Sequence, residues 1–366
     1  MAEENNDFLK VNKGIKQPEL INRQAVERLR KNKNILTVSD YVTGIKNGNT
    51  SILGKAITLI ESHLEEHQQI ASEIINQCLP MSGNSMRIGI TGVPGAGKST
   101  FIESLGYYLL QKGHKLAVLA IDPSSEISGG SILGDKTRME KISASNSVFI
   151  RPSPSGGSLG GVARKTRETI IVCEAAGFDI IFVETVGVGQ SETTVHSMVD
   201  FFLLLMLAGA GDELQGIKRG IMEMANAIII TKADGENITK ANIAKNDYTN
   251  ALHLFPNSES GVNPKVACTS ALKNTGIIDI WNIIIDYFTV TRQNNYHIEQ
   301  RQKQAKQWMH QTISSFLTDN FYNHNSIKEK IVQYETKVVS GEENPFSAAH
   351  KLINEYLNSV HDIKNI

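Results

Sequence analysis

Gly92, Gly97, Lys98 and Ser99 are spaced as G-x-x-x-x-G-K-[ST], the pattern of a phosphate-binding loop. The β-branched run from Arg87 to Thr91 precedes this pattern, and apolar residues at helical spacing follow it. Glycines let the backbone curl so that several N–H groups point at one phosphate, and the helix that begins here adds its positive end. The lysine would supply a mobile positive charge, and the serine hydroxyl would bind Mg²⁺. We therefore expect a nucleotide to contact the whole loop, namely Gly92, Val93, Pro94, Gly95, Ala96, Gly97, Lys98, Ser99 and Thr100.

Acidic residues close or follow other predicted strands and are candidates to hold Mg²⁺. Glu184 ends one apolar run, Asp122 follows another, and Asp135 lies in a glycine-rich segment after Asp122. In a parallel sheet the carboxyl ends of the strands meet at one edge, so these carboxylates would lie near the phosphate loop. The Gly187 N–H would bond the γ-phosphate, and Gln190 could orient water. For the two aspartates, the alternative is a turn or a helix cap.

A second motif predicts which base is bound. Lys232-Ala233-Asp234 resembles the N-K-x-D motif of GTP-binding proteins, with Thr231 in the position of the asparagine. The aspartate would accept hydrogen bonds from N1–H and the 2-amino group of guanine, a pair of donors that adenine lacks. A later predicted strand ends in a segment placed for a second base-contacting loop, comprising Ser270, Ala271 and Leu272. The alternative reading is a chance Lys-x-x-Asp in a turn.

Two further segments combine glycine with charge. The loop after the apolar run Phe201 to Leu207 contains Lys218 and could act as a switch that carries charge toward the nucleotide or a partner. Arg164, Lys165 and Arg167 begin a predicted helix and could face phosphate or a partner, although solvent is the default for such charges.

The order of elements predicts an α/β fold, a P-loop NTPase whose mostly parallel central sheet is flanked by helices. We expect a helical N-terminal extension over residues 1–84, the nucleotide domain over 85–290 and a helical C-terminal arm over 291–366. In the extension, Pro18 would start a first helix, Ser39 and Asp40 would cap the next, and the spacing from Thr50 to Ile75 is helical. Apolar stripes on the arm would pack on the same domain or, slightly favoured, on a second copy. The apolar runs that predict strands are Arg87–Thr91, Leu116–Ile121, Val148–Arg151, Asp179–Glu184, Phe201–Leu207 and Ala227–Thr231.

Composition excludes several classes of protein. The formal net charge of −1 over 366 residues gives no electrostatic footprint for nucleic acid. The acidic start of the chain does not resemble a signal peptide, and the apolar run from Phe201 to Ala210 is too short to cross a bilayer. The 3 cysteines are far apart and indicate free thiols in a reducing compartment, so we expect a cytoplasmic protein with no membrane partner.

Taken together, these motifs resemble the methylmalonyl-CoA mutase-associated GTPases of the MeaB/ArgK/MMAA type, over nearly the whole chain. The resemblance implies a P-loop GTPase core of the signal-recognition-like subclass with a C-terminal dimerisation arm. It also implies a partner, an adenosylcobalamin-dependent acyl-CoA mutase, whose cofactor loading the GTPase gates and which it protects or rescues. The segments that carry the resemblance are Gly92–Ser99, Asp122–Ser125, Glu184–Glu192, Gly211–Arg219, Lys232–Gly235 and Asn344–Ala349.

The resemblance also assigns roles by motif. It implies that phosphate and Mg²⁺ are served by Lys98, Ser99, Asp122, Asp135 and Glu184, and guanine by Lys232, Asp234, Ser270, Ala271 and Leu272. The segment from Asp212 to Lys218 would match the third switch of the family, where a lysine communicates with the mutase. Thr231 departs from the usual asparagine, so one bracing interaction is altered.

We therefore expect GTP hydrolysis coupled to a conformational switch, with GTP, GDP and Mg²⁺ as ligands. The candidates for residues that act during hydrolysis are Lys98, Glu184, Gln190 and Lys218. Two other functions remain open. A metallochaperone GTPase of the nickel-delivery kind requires a Cys/His cluster that the sequence does not show, and a kinase linked to amino-acid transport requires an acceptor pocket and a general base. A glycine-rich turn that matches the phosphate-loop pattern by chance is argued against by the strand and helix around it.

Overall fold

The computed structural model describes residues 36–121, 139–152, 159–185, 191–209 and 219–363. The helix that Pro18 is predicted to begin therefore lies outside the described residues. Five predicted site residues also lie outside them: Asp122, Asp135, Gly187, Gln190 and Lys218.

Seven strands form one sheet in the order β3-β2-β4-β1-β5-β6-β7, and every neighbouring pair is parallel. The inner strands are almost continuously apolar because helices cover both faces of the sheet. Within β4, Ile180 and Phe182 face one apolar core, whereas Ile181 and Val183 face another. The predicted α/β fold with a parallel sheet is confirmed. The strands are β1 Met86–Gly92, β2 Leu116–Ile121, β3 Val148–Arg151, β4 Ile180–Thr185, β5 Phe201–Leu207, β6 Ala227–Thr231 and β7 Lys265–Cys268.

Helices flank both faces of the sheet, and further helices precede and follow it in the sequence. Those before the sheet are α1 Val38–Lys46, α2 Thr50–Glu61 and α3 Glu65–Cys78. Those between strands are α4 Lys98–Gln111, α5 Glu140–Ser143, α6 Leu159–Ala175, α7 Ser191–His196, α8 Arg219–Met224 and α9 Ile238–Leu252. Those after the sheet are α10 Ile277–Gln293, α11 Tyr296–Asn323, α12 Asn325–Val339 and α13 Pro345–Ile363.

The apolar cores follow from this layering. Phe101 and Leu105 of α4 pack with Ile280 and Ile284 of α10 against one face of the sheet. On the opposite face α6 and α7 pack together with α1, α2 and α3. Tyr248 of α9 joins a third cluster over β5 and β6. Helices packed on both faces of the sheet therefore fix the position of the edge at which the strands end.

Two predicted helix boundaries near the N-terminal side are wrong. The first described helix is capped by Thr37, because the Asp40 N–H donates to the Thr37 hydroxyl and the Asp40 carboxylate accepts from the Thr37 N–H in a capping box. Ser39 and Asp40 thus lie inside the helix and do not begin it. The single helix expected from Thr50 to Ile75 is broken after Glu61. The break lets the apolar faces of α2 and α3 bury themselves in the same cluster.

The charges at the start of α6 do not follow the default of facing solvent. The side chains of Lys165 and Arg167 are buried. The Lys165 ammonium donates to the carbonyl oxygen of Glu61 and lies 3.2 Å from Nε2 of His63. Arg167 donates to the side-chain oxygen of Gln311 on α11. The solvent expectation is wrong because both partners come from segments far along the chain, which local sequence does not reveal.

A buried ionic cluster ties α11 to the sheet. Arg301 donates from Nε to Oδ1 of Asp200 at 2.8 Å and from Nη2 to Oδ2 at 2.7 Å. Arg87 in β1 makes a two-point contact with Glu174 in α6, with both distances 2.9 Å. Burial raises the pKa of Asp200, but the hydrogen bonds from Arg301 outweigh it and hold that pKa well below its usual range. Removal of either partner from such a pair would leave an unpaired buried charge, which is strongly destabilising.

The remaining surface of the C-terminal helices is apolar in places. Exposed side chains on these helices include Met309, Phe316, Leu317, Val332, Phe346 and Leu357. Within the described ranges, no helix combines the length and the apolar character that a bilayer crossing needs.

Candidate nucleotide site

The loop between β1 and α4 has the geometry of a phosphate cradle. Gly92 has φ +155°, and a Cβ at this position would collide with the Leu205 carbonyl oxygen and side chain in β5. Gly97 adopts φ +80° immediately before α4, a left-handed conformation that glycine takes without a steric cost. Glycine is therefore required at both positions, once for close packing and once for backbone direction.

Lys98 is the first residue of α4, and its side chain is folded back over the loop. Its Nζ donates to the carbonyl oxygen of Gly92 at 3.0 Å, and the side chain is buried. Burial lowers the pKa of Lys98, whereas the carboxylates of Glu184 and Glu192 act in the opposite direction. The ammonium group is thus held over the mouth of the cradle by weak carbonyl acceptors, which phosphate oxygens would replace with stronger charge-assisted bonds.

Ser99 and Glu184 meet directly beside the cradle. The Ser99 hydroxyl lies 3.3 Å from Oε1 of Glu184, whose side chain is buried at the end of β4. A hydrogen bond of 2.8 Å joins the hydroxyls of Thr91 and Thr185, which fixes the ends of β1 and β4 to each other. A hydroxyl and a carboxylate at this spacing are oxygen donors suited to Mg²⁺. Ser99 and Glu184 therefore fit the expected metal. Thr100, the next residue of α4, is exposed.

Glu192 is a functional candidate that the sequence reasoning did not select. It lies in α7, its side chain is buried, and its charge partly opposes the lowering of the Lys98 pKa by burial. The available signal was a second acidic residue eight positions after Glu184 in the same motif. Its orientation could not be read from the sequence, since a short helix presents its residues in all directions.

Thr231 at the end of β6 connects the phosphate loop to strand β5. Its hydroxyl lies 2.8 Å from the Ala96 carbonyl oxygen in the phosphate loop and 3.0 Å from the Met206 carbonyl oxygen in β5. The threonine is buried, so its proton is shared between these acceptors without competition from water. At the position of the usual asparagine, this chain therefore has a hydroxyl that contacts the phosphate loop.

The segments predicted to contact the base lie together after β6 and β7. The Ser270 hydroxyl donates to Oδ2 of Asp234, and the Ala233 N–H donates to the Thr269 carbonyl oxygen at 3.0 Å. Lys232 takes φ +55°, a left-handed conformation that turns the chain between β6 and Asp234. The hydrogen bond from Ser270 fixes the direction of the Asp234 carboxylate, and it engages Oδ2 rather than Oδ1.

The second segment is also tied to the phosphate loop helix. The Ser104 hydroxyl in α4 donates to the Ala271 carbonyl oxygen at 2.9 Å. Leu272, the last of the predicted base contacts, is 82% exposed and forms the outer rim. The predicted phosphate and base residues that the structure describes thus belong to one site, built on α4, β4, β6 and β7.

A comparison with known families decides what kind of site this is. Residues 53–326 match the family described as "Methylmalonyl Co-A mutase-associated GTPase MeaB". The chain belongs to the MeaB family. It is therefore a GTPase with a P-loop core, and it binds a guanine nucleotide.

Individual relatives agree with MeaB membership. The "GTPase ArgK" of Escherichia coli is 45% identical over 291 residues, which cover 79% of this chain and 88% of that protein. The Mus musculus "Methylmalonic aciduria type A homolog, mitochondrial" is 43% identical over 329 residues, covering 87% of this chain and 79% of that protein. A solved structure described as an LAO/AO transport system kinase aligns with a TM-score of 0.68 and 35% identity, over 89% of this chain and 99% of that one.

Proposed function

We propose that this GTPase gates cofactor loading into an adenosylcobalamin-dependent acyl-CoA mutase of the methylmalonyl-CoA mutase type and protects that mutase. Support comes from the family match, since the family description names a mutase-associated GTPase. The observation that carries the proposal is that hydrogen bonds join the phosphate loop and α4 to the segments predicted to contact the base, from Thr231 to the Ala96 carbonyl oxygen and from Ser104 to the Ala271 carbonyl oxygen. A nucleotide-controlled gate requires contacts that differ between GTP and GDP, and we propose that the segments following this site provide them.

In the proposed mechanism, water attacks the γ-phosphate in line while the cradle stabilises the developing charge. Lys98 and the loop N–H groups bind the β- and γ-phosphates, and Ser99, Glu184 and the two aspartates Asp122 and Asp135 are the proposed Mg²⁺ residues. When bound, Mg²⁺ would neutralise negative charge on the phosphates. Gly187 and Gln190 are proposed to sense the γ-phosphate and to orient water, respectively.

Guanine selection is proposed to rest on Asp234, with Lys232, Ser270, Ala271 and Leu272 forming the rest of the base pocket. The hydrogen bond from Ser270 fixes the carboxylate before the base arrives. An acceptor that is already positioned loses little entropy on binding, so it discriminates well against a base without donors.

Communication with the mutase is proposed to run through the segments that follow the strand ends. Glu184 is the penultimate residue of β4, and α7 with its buried Glu192 follows a few residues later. Because Glu192 lies close to Lys98, a change in phosphate content would alter the charge that α7 faces. We propose that Lys218, in the third switch segment, carries the signal to the mutase.

We further propose that the chain works as a homodimer joined through its C-terminal arm. Phe316 and Leu317 on α11 are 59% and 58% exposed, and Phe346 at the start of α13 is 79% exposed. Large apolar side chains grouped on neighbouring helices favour a covered interface over contact with water.

The gate can be tested by capture of the mutase from purified components. Immobilised full-length chain is loaded with Mg²⁺ and either GDP or a non-hydrolysable GTP analogue, then mixed with the mutase. The proposal expects several-fold different retention of the mutase in the two states. Equal retention in both states, or none in either, would remove the gating role while leaving the GTPase assignment intact.

Two other functions make different measurable demands. The structural neighbour described as a transport system kinase would be the better guide if γ-phosphate moved to a protein or amino-acid acceptor in place of water. A metallochaperone would copurify with stoichiometric nickel or zinc. No observation on the described residues favours either one over release of inorganic phosphate.

A further inference from the structure

A cavity of about 640 Å³ lies between α6, α7 and α11, and no residue of the phosphate loop lines it. Its lining carries Arg164, Arg167 and His310 together with hydroxyl and amide side chains. Among the described residues that line it, none is an aspartate or a glutamate. The described lining of the cavity thus carries basic groups and no acidic ones.

Arg167 is the most unusual group in this cavity. Its side chain is only 7% exposed, and it stacks on Trp308 with 5.4 Å between the guanidinium carbon and the ring centroid. One hydrogen bond, from Nη2 to Oε1 of Gln311 at 2.6 Å, satisfies part of the group. The buried Nε has no hydrogen-bond partner among the described residues. Burial lowers the pKa of Arg167 to about 10, and nearby Glu168 only partly opposes this shift.

The nearby carboxylates form their ion pairs with arginines other than Arg167. Glu168 makes its ion pair with Arg164, at 3.3 Å. Arg87, whose guanidinium carbon lies 6.0 Å from the centroid of the Trp308 ring, is already paired with Glu174. The group that contacts Arg167 directly, Gln311, is a neutral amide. A buried guanidinium without a bonded carboxylate is costly, and a bound anion would relieve that cost.

We propose that this cavity binds a small oxyanion, a phosphate or carboxylate group, with Arg167 as its principal contact. Arg167 supplies a planar donor group that suits two oxygens of one anion, and burial strengthens the attraction. Hydroxyl groups of Thr194 and Ser197 line the same cavity and can donate to the anion. The proposal does not depend on the mutase or on the nucleotide. The site lies against α7, the helix whose Glu192 is close to Lys98.

Trp308 provides a direct readout of binding, since the chain has 2 tryptophans and the other is Trp281. In a Trp281→Phe background, full-length protein is first saturated with Mg²⁺ and a non-hydrolysable GTP analogue, so that the phosphate loop is filled. Inorganic phosphate and, separately, succinate are then titrated at constant ionic strength against chloride. We expect a saturable change in Trp308 fluorescence, and the anion that produces it identifies the preferred chemistry.

Two variants test the role of Arg167. Arg167→Gln should abolish the saturable signal. Gln311→Glu, at an exposed position, should lower the anion affinity at least tenfold because it supplies a built-in carboxylate to the same guanidinium. Gln311→Glu keeps the test decisive if Arg167→Gln fails to fold. Lys306→Gln is the matched control, since it removes one charge from an exposed position on α11, and it should bind like the parent.

A signal that never saturates with either anion would overturn the proposal. So would an affinity that is the same in Gln311→Glu as in the parent. If an acidic side chain of a second copy already fills the cavity, neither anion will bind. That result would also contradict the proposal.

Discussion

At the scale of single residues, the Thr231 hydroxyl joins the phosphate loop to β5. Thr231→Val has nearly the same shape but leaves the Ala96 and Met206 carbonyl oxygens without this donor. We expect a loss of roughly 1–2 kcal/mol in the free energy of unfolding, measured by urea denaturation. We also expect weaker GDP binding by calorimetry, because the phosphate loop is held less firmly. Thr231→Ser keeps the hydroxyl and should lie close to the parent, and an unchanged Thr231→Val would refute the bracing role.

Asp234 carries the prediction about base choice. Asp234→Asn replaces an acceptor with a group that also donates, so guanine loses a hydrogen bond while xanthine, with a carbonyl at C2, gains one. We expect GDP affinity to fall by about 100-fold and the xanthosine analogue to become the better ligand. Competitive nucleotide binding measures both effects. Asp247→Asn makes the same change at an exposed position of α9 and should leave the preference unaltered.

Much of the site could be predicted from residue types and spacing. Gly92, Lys98 and Ser99 belong to one short segment of the chain, so the local sequence pattern alone defines the cradle. Asp234 and Ser270 were expected to meet because both follow strands of a parallel sheet, and the sheet brings such positions to one edge. Their individual functional roles remain predictions.

What the sequence could not show depends on contacts between distant segments. The burial of Arg167 requires Gln311 and Trp308, which lie more than a hundred residues away in the chain. Glu192 was missed because the direction of a side chain on a short helix is set by tertiary packing. The proposed boundaries at residues 84 and 290 also remain predictions. Arg301 in the C-terminal arm bonds Asp200 in the predicted nucleotide domain, so contacts extend across the boundary at 290.

At the scale of elements, the attachment of α11 depends on the buried pair of Arg301 and Asp200. Arg301→Gln leaves the Asp200 carboxylate without its strongest partner, and we expect a loss of about 3–5 kcal/mol at neutral pH. Lys303→Gln changes an exposed residue of the same helix, whose partner Glu259 is also exposed. This control should shift stability by less than about 0.5 kcal/mol. A small effect of Arg301→Gln would mean that apolar packing alone holds the arm.

The same pair predicts a pH dependence. The folded pKa of Asp200 is depressed, so its contribution is complete above the unfolded-state pKa of about 3.9 and is lost as pH falls toward the folded value. The stability difference between parent and Arg301→Gln should therefore be largest near pH 7 and shrink below about pH 4. Urea denaturation of both proteins across this range provides the measurement. A difference that stays constant with pH would contradict the account.

At the scale of the whole molecule, the exposed apolar residues of the arm predict self-association. Phe316→Asp combined with Leu317→Asp places two charges on that surface. We expect light scattering to give twice the mass of the chain for the parent and the mass of one chain for the double variant. Gln302→Asp adds charge at an exposed polar position of the same helix and should leave the mass unchanged. A parent that is monomeric would remove the proposed dimer.

The central claim is that the glycine cradle and Lys98 bind the phosphates of a guanine nucleotide. Calorimetry of the full-length chain with Mg²⁺ and GDP, compared with ADP, tests it most directly. We predict saturable binding of GDP only, a loss of about 100-fold in Lys98→Met, and no loss in Lys112→Met at the far end of α4. Equal binding of ADP, no binding of GDP, or full affinity in Lys98→Met would contradict the account.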